Sequence, residues 1–151
     1  MDPLTTQILS AISDEWFAHY QYWIGSLIVD ARYSDVISQF QEHSRDEFDH
    51  AIQLAHWVSA TGNAAALPFA TNELPRHQHC GYTYPSSRDP KDLIQESIDG
   101  ERCAIEFYSN LLYGMRRARM SEGDRSNERL ETILREILNK EKEHLADLKS
   151  L

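Results

Sequence analysis

Apolar residues recur at spacings of three and four along four long segments of this sequence, and this period constrains the fold more than any other feature. Such spacing gathers apolar side chains on one face of an α-helix, and no segment alternates with the period of two that is typical of a strand. The pattern predicts helices over about residues 4–31, 35–61, 89–117 and 126–151. We therefore expect an all-α chain.

The connections between the predicted helices differ in length. Short connections follow the first and the third helix, and they predict two antiparallel hairpins. Residues 63–88 lie between the hairpins, are rich in Pro, Ser, His and Gly, and keep no period. A linker between two domains is the alternative interpretation, but neither hairpin can bury its apolar face alone. We predict one domain over residues 1–151, an antiparallel four-helix bundle with a long crossover between helices two and three.

Composition excludes several classes of partner. The chain has 151 residues and a formal net charge of -9, so it has no surplus of Lys or Arg to neutralise phosphates. Binding to nucleic acid is therefore not expected. No apolar run approaches the roughly 20 residues of a membrane span, and no secretory leader is recognisable at the start. We expect a cytoplasmic protein that does not associate with membranes.

One glutamate interrupts each of the four apolar stripes. These residues are Glu15, Glu47, Glu101 and Glu141. An uncompensated carboxylate in such a position would face a desolvation cost of several kcal/mol. A group that compensates these carboxylates is therefore expected.

Two of these glutamates are followed three residues later by a histidine, as Glu47–His50 and Glu141–His144. Side chains three apart on a helix share a face, so a carboxylate and an imidazole can converge on one point. One carboxylate per helix, with a histidine added by two helices, is the arrangement of di-iron and di-manganese carboxylate sites in bundles. The pattern predicts an intrachain two-metal centre.

An internal repeat strengthens this interpretation. Glu15 and Tyr22 in the first helix recur at the same spacing as Glu101 and Tyr108 in the third, and each half then continues with its own Glu-x-x-His pair. Six donors divide into two bridging carboxylates and one terminal Glu with one His for each metal. Iron or manganese fits this donor set, zinc is a possible occupant, and iron(II) oxidation is the simplest activity.

The sequence resembles the ferritin superfamily over nearly its whole length. Within it, the likeness is to the bacterioferritin-like, Dps-like proteins called thioferritins. It rests on four segments: DEWFAHYQYW (14–23), EFDH (47–50), HCGY (79–82) and ERCA (101–104). The resemblance implies that Glu47 and Glu141 bridge the metals, that Glu15 and Glu101 are terminal ligands, and that His50 and His144 supply the nitrogens.

The same resemblance implies a function. It predicts a hollow homo-oligomer, a dodecamer, that oxidises iron(II) with hydrogen peroxide or oxygen, stores ferric mineral and protects against oxidative stress. No heme is expected, because the chain has Met only at positions 1, 115 and 120 and lacks the axial methionine of heme-binding bacterioferritins on its second helix. DNA coating is not expected either, since a lysine-rich tail is absent from the sequence.

Other residues are open to two interpretations. The resemblance favours a redox pair of Cys80 and Cys103, and two unpaired thiols are the alternative. Tyr22 is a core residue that can also donate a hydrogen bond to a ligand carboxylate. His19 and His43 each lie one helical turn from a candidate ligand, where a core or solvated histidine is the simpler interpretation and a supporting role the alternative.

Two other functions compete with iron storage. A di-metal redox enzyme, such as a peroxidase or an oxygenase, would hold only its two metals. A helical interaction module would hold none, and its acids would merely be paired. A storage protein must assemble into a closed shell, whereas a di-metal enzyme need not, so the oligomeric state distinguishes these two functions. Bound metal distinguishes both of them from the interaction module.

Overall fold

The computed structural model describes residues 1–68, 74–123 and 125–151, and all regular secondary structure in these ranges is helical. Part of the predicted crossover, residues 69–73, and residue 124 lie outside the described residues. Four long helices form the bundle, which confirms the predicted fold class. They are α1 (Pro3–Ile28), α2 (Ser34–Ala60), α3 (Pro90–Glu122) and α4 (Glu128–Ser150). The crossover contains a 3₁₀ turn, Ala64–Ala66, and one α-helical turn, Leu74–His77.

Aspartate followed by proline starts two of the helices. Asp2 accepts a hydrogen bond from the Thr5 backbone N–H at 3.0 Å and caps α1. Asp89 accepts one from the Lys91 N–H at 2.8 Å and caps α3. Each cap satisfies a backbone donor that the helix leaves unpaired, and the proline that follows has no N–H to satisfy.

Two helix ends differ from the sequence prediction. The first helix ends at Ile28 rather than near residue 31, because Val29 is extended and Asp30 accepts a hydrogen bond from the Arg32 N–H at 2.9 Å, which favours a turn. The third helix continues to Glu122 rather than ending near residue 117. No glycine or proline lies between residues 117 and 123, and Gly123, with a φ of 66°, ends the helix in the left-handed conformation.

The core consists of two apolar clusters. The first contains Ile8, Leu9, Ala11, Ile12, Leu54, Val58, Ala104, Tyr108, Leu111, Leu112, Leu130, Leu134, Ile137 and Leu138. The second contains Tyr22, Val29, Val36, Phe40, Leu93, Ile98 and Leu148. On every long helix the candidate ligands lie between the residues of the two clusters. The bundle therefore has two apolar ends and a polar layer between them.

The order of the clusters along each helix gives the helix directions. Both α1 and α4 run from the first cluster to the second, whereas both α2 and α3 run from the second to the first. Consecutive helices α2 and α3 are thus parallel, so the chain must return along the bundle before α3 begins. This explains the length of the crossover. None of the helices in the described ranges is both long and apolar enough to cross a bilayer.

The crossover is fastened to two helices beside the polar layer. Asp14 of α1 is buried and accepts hydrogen bonds from the backbone N–H groups of His79 and Cys80 at 2.8 and 2.9 Å. The Tyr82 hydroxyl donates to the carbonyl of Gly100 on α3 at 3.1 Å. These contacts hold residues 79–82 against the helices that carry Glu15 and Glu101.

A close approach of α1 to α2 at Gly25 provides a test of the packing. A Cβ atom added there would lie 2.8 Å from two ring atoms of buried Phe40. We expect Gly25→Ala to lower the free energy of unfolding by about 1–3 kcal/mol because the core is overpacked. The matched control is Gly114→Ala in α3, where a Cβ meets nothing within 4 Å, and a gain of about 0.5–1 kcal/mol is expected. Urea unfolding measures both, and equal effects would contradict this account.

Candidate metal centre

Six buried side chains, contributed by all four long helices, meet in the polar layer. They form two groups, in each of which the donor atoms lie within 4.8 Å of one another. The first group is Glu15, Glu47, His50 and Glu141, and the second is Glu47, Glu101, Glu141 and His144. The structure brings together all six residues that the sequence predicts as ligands. Glu47 and Glu141 belong to both groups, which is the arrangement that two bridging carboxylates require.

Three carboxylates surround one nitrogen of His50. Its Nδ1 lies 3.3 Å from Glu15 Oε2 and 3.1 Å from Glu47 Oε2. The same nitrogen lies 3.0 Å from Glu141 Oε1. That last contact is a close approach without hydrogen-bond geometry. A single N–H cannot donate to three carboxyl groups with good geometry at the same time.

The second half repeats this arrangement around His144. Its Nδ1 lies 3.2 Å from Glu101 Oε1 and 3.3 Å from Glu47 Oε1. Glu141 Oε2 is more distant, at 3.9 Å. Each imidazole therefore directs Nδ1 at a set of three carboxylates.

Burial and mutual charge divide the four carboxyls into two pairs. Burial raises the pKa of Glu47 and of Glu141 well above the usual range, and repulsion by the other carboxylates acts in the same direction. Burial also opposes ionisation of Glu101, but hydrogen bonds with Glu141 and His144 lower its pKa to about 2. For Glu15 the charge of His50 outweighs burial and lowers the pKa.

The two imidazoles are the counter-ions. Burial disfavours the charged form of both rings, but the neighbouring carboxylates outweigh it. They raise the pKa of His144 to about 9 and that of His50 further above its ordinary value. These shifts favour charged imidazoles beside ionised Glu15 and Glu101 and protonated Glu47 and Glu141, which lowers the net charge of the buried layer. The protons are held at nitrogen and oxygen atoms that a cation can also bind.

The donor set fits divalent iron or manganese. Carboxylate oxygens and imidazole nitrogens are the ligands that these ions use, and no thiolate is among the six. Glu101 Oε2 is buried and has no hydrogen-bond partner among the described residues. A cation between the carboxylates would satisfy this oxygen and relieve the crowding around both imidazoles. Zinc accepts the same ligand types.

Two tyrosines cross the bundle to the terminal glutamates. The Tyr22 hydroxyl of α1 donates to Glu101 Oε1 of α3 at 2.5 Å, and the Tyr108 hydroxyl of α3 donates to Glu15 of α1. The internal repeat is thus reciprocal, because each helix supplies the hydrogen bond to the other's glutamate. Tyr22 lies behind a candidate ligand, as expected. The role of Tyr108 was missed, although the repeat carried the signal.

The cysteines lie beside this layer. Cys80 of the crossover and Cys103 of α3 are joined by a disulfide, with their Cα atoms 5.8 Å apart. Cys103 follows Glu101 by two residues and faces the crossover rather than the six donors. A redox role for the pair stays a prediction.

His19 and His43, for which the sequence gave the same two interpretations, differ in their distance from the six candidate ligands. His19 Nδ1 lies 2.8 Å from the Ser44 carbonyl oxygen, away from the six donors. His43 is buried, and its ring stacks on that of His144 with centroids 3.9 Å apart. Burial, with repulsion from His144, lowers the pKa of His43 to about 4. Sequence reasoning also missed Asp46, whose Oδ2 lies 2.9 Å from His144 Nε2. Its position directly before Glu47 was the available signal.

Comparison with known proteins agrees with this geometry. The family model of the ferritin-like domain matches residues 5–151. The chain belongs to the ferritin-like family. This ferritin-like protein is also similar to a solved structure, a dodecameric thioferritin described as the bacterioferritin-related protein from Bacteroides fragilis. The identity is 30%, the match covers 97% of this chain and 82% of that chain, and the TM-score is 0.82. No curated protein matches the sequence.

The family membership confirms the resemblance seen in the sequence. Together with the two donor groups, it supports a function of this ferritin-like protein in iron handling. The assignment of individual residues as ligands stays a prediction.

The protonation of the layer predicts how stability depends on pH when metal is removed with a chelator. His144 has a pKa of about 9 in the fold against an ordinary value of 6.5. Its contribution is complete below pH 6.5 and is lost as the pH rises through 9, and the raised pKa values of Glu47 and Glu141 act in the same direction. Urea unfolding should therefore show a falling free energy of unfolding from pH 6.5 to 9.

Two variants separate this effect from general titration. His144→Asn should flatten the decline, whereas His56→Asn, at an exposed position of α2, should leave it unchanged. A stability that is constant or rises over this interval in the unsubstituted protein would contradict the proton distribution.

Proposed function

We propose that this ferritin-like protein is a mini-ferritin that oxidises iron(II) at its intrachain two-metal centre and stores the ferric product inside a homo-oligomer. Glu47 and Glu141 would be shared by the two irons, Glu15 with His50 would hold one, and Glu101 with His144 would hold the other. The observation that carries the proposal is the membership of Glu47 and Glu141 in both donor groups. Manganese or zinc can occupy the same positions, and no heme is involved.

The chemistry is a two-electron transfer. Two iron(II) ions lose one electron each, and these electrons with two protons convert one hydrogen peroxide molecule into two waters. With oxygen as the oxidant, the same two electrons and two protons yield hydrogen peroxide. Four anionic oxygen ligands favour the product, since carboxylates stabilise the higher charge of iron(III). Removal of peroxide in this way protects against oxidative stress.

The residues of this chain prepare that transfer. Both imidazoles and the carboxyl groups of Glu47 and Glu141 would give up a proton to bind the two cations, so binding would release protons and weaken at low pH. Tyr22 and Tyr108 hold the terminal glutamates in position through their hydroxyls. The apolar clusters on both sides exclude bulk water from the layer.

Storage requires a closed assembly, and the outer face of the α1–α2 hairpin supports one. Trp23, Leu27, Phe48 and Ile52 are apolar side chains with between 37% and 62% of their surface exposed. Large apolar side chains that are exposed in one chain are often covered by a partner in a protein–protein interface. The solved relative is described as dodecameric, and we propose a dodecamer for this chain in the cytoplasm.

The direct test adds iron(II) and then hydrogen peroxide to the purified protein and counts the irons that remain with each chain after gel filtration. We expect far more than about two irons per chain, eluting with a large assembly. Retention near two would indicate a di-metal redox enzyme without storage. Retention of none would leave only a helical module with paired acids.

A matched pair of variants tests the site itself. Glu47→Gln removes a bridging carboxylate, and we expect the rate of iron(II) oxidation to fall by at least about 10-fold. Glu42→Gln makes the same change at an exposed position of α2 and should leave the rate unchanged. Equal rates for the two variants, followed by the absorbance of iron(III), would contradict the assignment.

A further inference from the structure

The internal repeat relates the two halves of the metal centre. The six candidate ligands and the two tyrosines follow this repeat, but other residues near the site do not. Glu47 in α2 corresponds to Glu141 in α4, and His50 corresponds to His144. Any residue near the site can therefore be compared with its counterpart at the same distance from the bridging glutamate. A difference between counterparts is a difference between the two metal positions.

The residue before the bridging glutamate breaks the repeat. In α2 it is Asp46, whose Oδ2 lies 2.9 Å from His144 Nε2. An aspartate there accepts the Nε2–H of the ring, so Nδ1, which faces the carboxyl groups, is left free to bind a metal through its lone pair. In α4 the counterpart is Lys140, whose Nζ pairs with Glu143 Oε2 at 3.0 Å. An ammonium group has no lone pair with which to accept a hydrogen bond from His50.

A second position also departs from the repeat, and again the extra contact is made to His144. Four residues before the bridging glutamate, α2 has His43 and α4 has Ile137. The His43 ring is stacked on the His144 ring at 3.9 Å with an interplanar angle of 25°, and the Tyr22 ring is nearly perpendicular to the His43 ring at a centroid distance of 5.0 Å. Ile137 belongs instead to the first apolar cluster. The His144 imidazole is thus held by two α2 side chains whose counterparts can make neither contact.

His43 is itself anchored. Its Nε2 lies 3.3 Å from Asp147 Oδ2 and 2.9 Å from Gln39 Nε2. A ring nitrogen of His43 also lies within 4.8 Å of donor atoms of Glu101 and His144. The His144 side of the centre therefore has one more nitrogen close to its donors than the repeat requires.

We propose that the two metal positions are inequivalent, and that the Glu101–His144 position binds a divalent cation first and more tightly because Asp46 holds His144 in the required tautomer. This inference rests on the proposed two-metal centre and deepens it. A ligand that is already oriented loses less freedom on binding, and an accepting carboxylate makes the imidazole a stronger donor. Asp46 is a positioning residue, since its contact with the metal is only through His144.

Cobalt(II) titration of the metal-free protein without oxygen tests the inequivalence. Visible absorbance and calorimetry should resolve two steps of one ion each, the first at least about 10-fold tighter. Glu101→Gln should weaken the tighter step, and Glu15→Gln the weaker one. These two variants assign the steps to positions without any measurement of iron oxidation.

The role of Asp46 is tested in the same titration. Asp46→Ala should weaken the first step by about 10- to 100-fold and leave the second unchanged, and Asp46→Asn should recover part of the loss because its amide oxygen still accepts a hydrogen bond. Asp49→Ala removes an exposed carboxylate from the same helix and should change neither step.

The possible results separate this inference from the proposed function. Two ions bound with one common affinity, or an Asp46→Ala variant that weakens both steps equally, would overturn the inequivalence and leave the two-metal centre standing. Assignment of the tighter step to Glu15 would overturn it as well. A protein that binds no cobalt would instead overturn the proposed function.

Discussion

The structure depends on the balance of charge in one buried layer. Six ionisable side chains lie between two apolar clusters, where an unpaired charge would cost several kcal/mol. Without metal, the imidazoles of His50 and His144 offset the carboxylates of Glu15 and Glu101, whose lowered pKa values favour the ionised form. Three carboxyl groups lie around one nitrogen of each imidazole. It is a layer whose protons a pair of cations can replace.

The topology of the bundle follows from the need to bring this layer together. A layer in the middle of four helices requires each helix to carry its glutamate between two apolar segments, and the parallel run of α2 and α3 then requires a long crossover. As the crossover returns along the bundle, residues 79–82 pass directly beside the layer. Asp14 and Gly100 hold it there through hydrogen bonds, and the disulfide of Cys80 and Cys103 ties it to α3.

Much of this could be predicted from the sequence, because helical period determines which residues share an inward face without reference to any neighbour. Glu15, Glu47, Glu101 and Glu141 were identified in that way, and the two histidines followed from their spacing. The period does not give the rotation and level of one helix against another. The sequence therefore could not distinguish His19 from His43 as a residue that supports the site. Packing against α4 shows that His43 contacts His144. The end of α1 depended on a local turn at Asp30, which the apolar period does not register.

Anomalous diffraction at the iron edge, from crystals loaded with iron(II) without oxygen, would locate the metals. Two iron peaks per chain about 3.5–4 Å apart are expected, with Glu47 and Glu141 each contacting both. One peak flanked by His50 and the other by His144 would complete the predicted division of ligands. Iron confined to the exposed acids, with no peak in the buried layer, would contradict the account.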